Sequence, residues 1–490
     1  MILLEEKNKG LLILSLSISI FIIVHLLYIN LPPCSVHVWR QCNTLAVAQN
    51  FYDESFNILE PRVDRRFEGD GITGTAFPLY EWIVAMIYKI TGVHYWVHRS
   101  FSLVLSITAI VFSYCFLSNI STNKTLCAIS SSLLLWCPEL FYHSINAIPD
   151  IMALCTGFIS LYLITKPSKG KLSIFTSYFF LMISGLIKVQ YLMIGVFHII
   201  ELINNFRNNR KWNEVILYRF IPGIFSLVIV LGWYKYSVGL IEKSNLRDFG
   251  IEIRSADTIN DAIHTLKKNI VSDFPELVLG FANFILVIIG LIIGLKKRNA
   301  NYYFSFLFLA GLYLTYHILE LRQMQVHHYY MLPSYFFMLA LIYQGVHFLY
   351  QKKLTTLVVL FLFIQPTLAC IRIIPARWGK TDLGITTSFS DSEKLNELKK
   401  RIPPNAKVIA GPDESGCIYL YFLHKKGFGY EYPNQLAEIK NGKTVIEDYI
   451  QRGASYLITT NQDDLSNVQL KEYFQSTIQY NEFYIIQLKK

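Results

Sequence analysis

Residues 77–92, FPLYEWIVAMIYKITG, decide how the whole chain is threaded. If this stretch crosses a membrane, every later segment inverts; if it lies along the surface, the chain keeps one consistent orientation. Its uninterrupted apolar part runs only from Trp82 to Tyr88, between Glu81 and Lys89. A hydrocarbon core of about 30 Å takes roughly 20 apolar residues to cross. The stretch therefore reads as an interfacial helix lying along the membrane.

On either side of it, apolar runs long enough to span recur from Gly10 to Ile371. The spanning segments are read as approximately 10–29, 97–118, 124–141, 149–165, 172–187, 190–204, 221–240, 276–295, 302–319, 330–350 and 354–373, about eleven in all. The run from Gly10 to Tyr28 exceeds the 7 to 15 residues of a signal-peptide core and no A-x-A-like site follows, so it reads as an uncleaved anchor. With Lys7 and Lys9 inside, strict alternation also puts inside Lys124, the lysines at 166, 169 and 171, the basic residues at 207, 210, 211 and 219, those at 296–298, and Lys352 with Lys353. Every short basic connection then falls on one side, as the positive-inside rule asks.

The chain has 490 residues, 53% hydrophobic and 16% charged, against roughly 25% charged in a soluble domain. Its formal charge of +10 lies in short clusters at the ends of apolar segments, which is membrane orientation rather than a nucleic-acid surface. Eight cysteines show no CxxC pair; Cys34 and Cys42 share one polar loop and could pair there if that loop is extracytoplasmic. The apolar pattern stops near residue 375, so two domains are expected: 1–375, transmembrane, with 31–96 as a first extracytoplasmic loop carrying interfacial helices, and 376–490, soluble.

The same alternation places outside the turn at Asp150, the turn at Lys188, the loop 241–275, the sequence RQMQVHHYYMLP (322–333) and the C-terminal domain. The first outside loop, which contains PRVDRRFEGDGITG (61–74), mixes acids with Arg40, Arg62, Arg65 and Arg66 over roughly 65 residues. Loops of that length in compact proteins are commonly functional.

In order, the chain carries VWRQCNTLAVAQNFYDESFNILEPRVD (38–64), FPLYEW (77–82), HRSFSLVLS (98–106), NAIPDIMAL (146–154), GLIKVQYL (185–192) and HHYYMLP (327–333). Over residues 1 to 375 this series resembles the GT-C-fold membrane glycosyltransferases related to protein O-mannosyltransferases and the lipid A aminoarabinose transferase. The resemblance implies an α-helical polytopic fold and transfer, outside the cytoplasm, of a sugar from a polyprenyl-phosphate donor. It implies an acid of the first outside loop near the acceptor, a second acid at the start of a later helix, and basic or Tyr side chains on the lipid phosphate. One departure stands out: many relatives carry an acid shortly after WRQ, where this chain has Asn43.

The chemistry agrees. Displacing a lipid phosphate from an anomeric carbon needs a carboxylate to take the proton of the incoming nucleophile and cations for the charge growing on the departing phosphate. Asp64, beside Arg62, Arg65 and Arg66, is the first candidate base, with pairing to a neighbouring arginine as the structural alternative; Asp70 and Glu68 follow. Asp150, at the start of an apolar helix, is either an acceptor- or metal-positioning group or an N-cap. Lys188 either binds donor phosphate as a point charge or snorkels to the interface. Arg322, His328 and Tyr330 are phosphate or sugar contacts, or part of an aromatic belt. Arg40 with Trp39 cradles phosphate and sugar ring or braces the loop. His327 and His328 point apart and lack an evident third ligand, so no metal site is assigned; no cofactor is certain, and a divalent metal stays open. His94, Trp96, His98 and Arg99 read as headgroup anchors.

Beyond Asp382, helix and strand patterns alternate: DSEKLNELKKRI helical, AKVIAG a strand, SGCIYLYFLHKKG helical, then KTVIEDYIQRG and SYLITT, with EFYIIQLKK closing. This predicts a small, mostly parallel α/β domain. GPDESG (411–416) follows a strand and precedes a helix, where open α/β sheets bind ligands. It lacks GxGxxG spacing and a Walker lysine, leaving an acceptor-recognition lid or a stabilising appendage.

The expectation is a multi-pass protein of the inner (plasma) membrane that moves a sugar from a polyprenyl-phosphate donor to an extracytoplasmic acceptor by a carboxylate-assisted single displacement, with inversion. A transporter or flippase of lipid-linked glycans is the alternative, although no internal repeat is found; a catalytically silent scaffold is the third reading.

Overall fold

The computed structural model describes residues 2–66, 69–168, 170–208, 212–244, 246, 254–294, 303–379 and 387–489. Glu68, Lys169, Arg210, Lys211, Lys296, Lys297 and Arg298 lie outside the described residues. All eleven apolar segments overlie helices. Among the described residues, six helices are long and apolar enough to cross a membrane: Asn8–Leu26, Tyr95–Ile120, Val189–Arg207, Trp212–Ser244, His328–Gln351 and Thr355–Trp378. Five more are apolar but shorter: Lys124–Leu135, Asp150–Thr165, Lys171–Ile187, Phe281–Gly294 and Phe304–Leu319. The protein is an integral membrane protein with a separate sheet-bearing region near the C-terminus.

The chain divides into two compact units. The first comprises residues 1–30, 98–235 and 251–376. Its helices approach closely where side chains are absent or small. A Cβ on Gly290 would stand 2.1 Å from the Leu341 carbonyl oxygen, and one on Gly345 would stand 2.3 Å from the Leu286 carbonyl oxygen. Helices Phe281–Gly294 and Tyr335–Gln351 thus each give a glycine to the other's backbone, the small-residue contact that replaces hydrophobic driving force in lipid. Serines tie other helices together: Ser160 donates to the Ser177 carbonyl at 2.8 Å and Ser184 to that of Ala153 at 2.7 Å. Helix Lys124–Leu135 starts where Asn123 accepts the Leu126 amide.

His98 and Arg99 belong to this unit and are fully buried, so they are not headgroup anchors. Arg99 donates to the Ile145 carbonyl at 3.2 Å and to Asn146 Oδ1 at 3.3 Å. Burial wins over snorkelling because those polar acceptors replace water around the guanidinium. His94 and Trp96, by contrast, stack on one another at 6.2 Å and are exposed.

The second unit gathers residues 31–97, 236–250 and 377–490. The deciding stretch forms a helix of 13 residues, Leu79–Thr91, which buries Tyr80, Val84, Ala85 and Tyr88 and leaves Ile90 86% exposed. Around it Val47, Phe51, Val63, Ala85 and Leu246 make a small core, and Trp82 Nε1 donates to the Phe56 carbonyl at 3.1 Å. The C-terminal segment contributes strands β1 (Val408–Gly411), β2 (Gly427–Gly429), β3 (Ile439–Lys440), β4 (Lys443–Thr444), β5 (Tyr456–Thr459), β6 (Phe474–Tyr480) and β7 (Phe483–Leu488). The main sheet has the order β2-β1-β5-β7-β6, with β1 parallel to β2 and β5, and β7 antiparallel to β5 and β6. It is mixed, not mostly parallel: the chain closes on a hairpin turned at Asn481, whose positive φ of 50° suits an asparagine. The two crossover connections place helices Ile418–Leu423 and Val445–Gln451 between the parallel strands, and Ile409, Phe428, Leu457 and Ile486 fill the core.

Candidate active site

In the membrane unit, Asp150 opens helix Asp150–Thr165 and is fully buried. It does not cap the helix: neither carboxylate oxygen has a hydrogen-bond partner. The helix N-terminus favours its negative charge, and the nearest cation is Lys188, whose Nζ stands 3.9 Å from Asp150 Oδ2. Lys188 sits in extended backbone just after helix Lys171–Ile187, where the chain tightens into a 3₁₀ turn, Val189–Ile194. Its ammonium lies 5.0 Å from the Tyr330 ring centroid, a cation–π contact. An ammonium so placed has donors to spare for a further anion.

Tyrosines enclose this pair. Tyr191 is fully buried with its hydroxyl unpartnered and lies within electrostatic reach of Asp150. Tyr234 accepts the Val189 amide at 3.0 Å, and Tyr316 donates to the Tyr330 carbonyl at 3.2 Å. Glu320, half-buried, also feels Lys188; burial raises its carboxyl above the usual range, opposed by the Arg254 amide and by the charges of Lys188 and Arg254.

His328, one residue earlier than the Tyr329 and Tyr330 pair, has Nε2 3.8 Å from Asp273 Oδ2, and Lys268 reaches the same oxygen at 3.6 Å. Glu139 offers a carboxylate oxygen within 4.8 Å of a His328 ring nitrogen and binds His143 Nε2 at 2.9 Å. His143 in turn meets Asn146, the partner of Arg99. Glu139 and His328 offer N/O donors of the kind a borderline divalent cation accepts, and the orphaned His328 Nε2 fits that use. These are the residues that could hold a metal within this unit.

Of the remaining candidates, Arg322 is 60% exposed and spends its guanidinium on Asp257 at 3.1 Å. In the second unit, Asp70 is 58% exposed and pairs with Arg62 at 3.1 Å. Asp64 is buried at 3% exposure; its Oδ1 receives Lys426 Nζ at 2.5 Å and Asn50 Nδ2 at 3.0 Å. Arg40, on helix Val38–Asp53, is half-buried and has no carboxylate partner among the described residues. Asn43 is buried on the same helix.

Glu139, Asp273, Glu320, Tyr191 and Tyr234 escaped the reading of the sequence. Glu139 and Asp273 left one usable signal, an acid inside an otherwise apolar run, as in LLLWCPELF and NIVSDFPELV.

No protein-family model matches the chain, and no curated protein does. Solved structures do. ArnT from Cupriavidus metallidurans in the apo state superposes at TM-score 0.62 with 11% identity, over 96% of this chain and 97% of that one. The fold is that of the GT-C membrane enzymes. The archaeal oligosaccharyltransferase AglB from Archaeoglobus fulgidus is similar at TM-score 0.58 and 10% identity, over 98% of this chain and 74% of that one. The arabinofuranosyltransferase AftD from mycobacteria gives 0.56 and 12%, over 97% and 40% respectively. The GT-C resemblance expected for residues 1 to 375 therefore holds at the level of fold, and the matches extend over 96% to 98% of the chain.

Proposed function

We propose that the protein is a membrane glycosyltransferase that takes a sugar from a polyprenyl-phosphate donor and gives it to an acceptor outside the cytoplasm. One observation carries this reading: a fully buried carboxylate, Asp150, with both oxygens free of hydrogen bonds, 3.9 Å from a lysine whose other neighbour is an aromatic face. A structural ion pair would close that gap and fill its lone pairs. Open lone pairs on the acid and spare donors on the lysine suit a site that takes a polar, charged ligand.

In this reading Lys188 takes the phosphate oxygens and stabilises the negative charge that grows on the leaving group. Asp150 receives the proton of the attacking hydroxyl or amine. The single displacement inverts the anomeric carbon. His328 is a further contact for the donor, with Tyr330 fixing the lysine. A divalent metal, if bound by Glu139 and His328, would add Lewis-acid stabilisation of phosphate. Two similar structures were solved with lipid phosphates, ArnT with undecaprenyl phosphate and AglB with dolichol-phosphate and an inhibitory peptide, which supports a lipid-phosphate partner here. The basic clusters at one set of segment ends support the inner (plasma) membrane with the site and the C-terminal region outside.

The test uses purified protein in lipid nanodiscs with a panel of labelled polyprenyl-phosphate sugars and glycan, lipid and peptide acceptors. Label should move to an acceptor, and Asp150→Asn should lower transfer by ~10² or more. Donor crossing liposome bilayers with no transfer would sink the enzyme and favour a flippase.

A further inference from the structure

We propose that Lys426 is a positioning residue for the first loop, acting through Asp64, and that Asp64 holds that loop in place rather than moving a proton. The observations all lie within the second unit. β2 is an edge strand of the main sheet, and an edge presents unpaired amides and carbonyls. Residues 64–66 occupy that edge: the Gly427 amide donates to the Asp64 carbonyl at 3.0 Å, the Arg66 amide donates to the Gly427 carbonyl at 2.8 Å, and Arg65 bridges Gly427 in parallel sense. The first loop thus supplies a rung to a sheet made of residues far along the chain.

Side chains lock that rung. Lys426, just before β2, donates to Asp64 Oδ1 at 2.5 Å and also to Asn50 Oδ1 on helix Val38–Asp53. Asn50 Nδ2 reaches both Asp64 Oδ1 at 3.0 Å and the Arg62 carbonyl at 2.9 Å. Two residues earlier, His424 meets Asp53 at 2.8 Å. One lysine therefore fixes the loop, the helix before it and the sheet edge together. Asp64 is 3% exposed and its Oδ1 already takes two donors, which commits that oxygen to holding the loop rather than to an incoming nucleophile. The other groups facing Asp64 are Cys42 on helix Val38–Asp53 and Cys417 and Tyr421 from the helix after β1. Burial pushes the Cys417 thiol up to about 12, and Lys426 supplies Asp64 with a counter-charge. Glu54, 3.8 Å from Lys426, sits at the rim of the pair.

The activity arm of the test rests on the transferase reading; the stability arm does not. Asp64→Asn, Lys426→Met and the double variant are compared with the parent protein, full length in nanodiscs, by melting temperature, by proteolytic release of the first loop, and by sugar transfer. Removing one partner of a buried pair strands the other charge, and removing both relieves it. Each single variant should therefore melt below the parent and the double variant above either single. Transfer should fall to a similar extent in both singles and no further in the double. Additive melting losses, or an Asp64→Asn protein that melts like the parent yet loses ~10²-fold more transfer than Lys426→Met, overturn the proposal. Should Asp64→Asn fail to accumulate, recovery of folded protein in the double variant supports the pair and its continued loss overturns it. If the parent transfers nothing, the transferase reading fails while the melting comparison still decides the role of Lys426.

Discussion

A carboxylate buried without a hydrogen bond costs several kcal/mol unless a charge or a ligand compensates it. Among the described residues the cation paired with Asp150 is Lys188, at 3.9 Å, so each should depend on the other. Asp150→Asn leaves the Lys188 ammonium without its carboxylate and should lower the melting temperature as well as cutting transfer by ~10² or more. Lys188→Met strands the carboxylate and should lower both, with the donor KM rising before kcat falls, measured by titrating labelled donor. A second residue-scale expectation concerns Lys399, whose ammonium is pushed down to about 8 by burial and by the neighbouring charge of Lys425. Between pH 8 and the usual lysine range near 10.5 the unfolded chain binds the proton that the folded chain has lost, so stability rises with pH across that window. Melting of the second unit, followed by fluorescence from pH 7.5 to 10, should climb, and Lys399→Met should flatten the climb. The pairing of Asp150 with Lys188 could not be read from the sequence. Each residue announced itself as an ionisable group at the edge of an apolar run, but which two run ends meet is set by how helices pack.

At the scale of elements, lipid makes the helices legible. A span cannot hide polar groups, so hydropathy alone located the apolar helices among the described residues, and the break at Glu81 and Lys89 falls within a helix of only 13 residues, Leu79–Thr91. The sheet was less legible. β1, β5 and β7 are apolar runs and could be found, whereas β2 is three residues, Gly427–Gly429, and β6 is a polar edge strand. Register between helices left its mark only in glycines. Gly290 and Gly345 each abut a facing carbonyl too closely for any side chain. Alanine at either position must push helices Phe281–Gly294 and Tyr335–Gln351 apart and should cost roughly 1–3 kcal/mol, as overpacking does. Because both substitutions open the same contact, Gly290→Ala and Gly345→Ala together should cost less than their sum, a shortfall readable in a thermal-shift cycle.

At the scale of the whole molecule, the second unit is assembled from three separated lengths of chain. The candidate reaction residues Asp150 and Lys188 belong to the first unit, yet the loop that carries Arg40 belongs to the second. A chain truncated after Ala376 should keep its helices but lose the sheet edge and Lys426, leaving residues 62–76 open to protease; mass spectrometry of the cleaved fragments would locate the nicks. The resemblance to GT-C enzymes pointed to the loop but could not reveal this dependence, because pairing between residues 64–66 and Gly427 has no local signature in either stretch. The rung at β2 has a further consequence, in time. During synthesis the loop leaves the ribosome long before residue 427 exists, so it spends most of translation with its backbone groups paired only to water. Quality control that inspects this loop would in effect be asking whether the ribosome has finished.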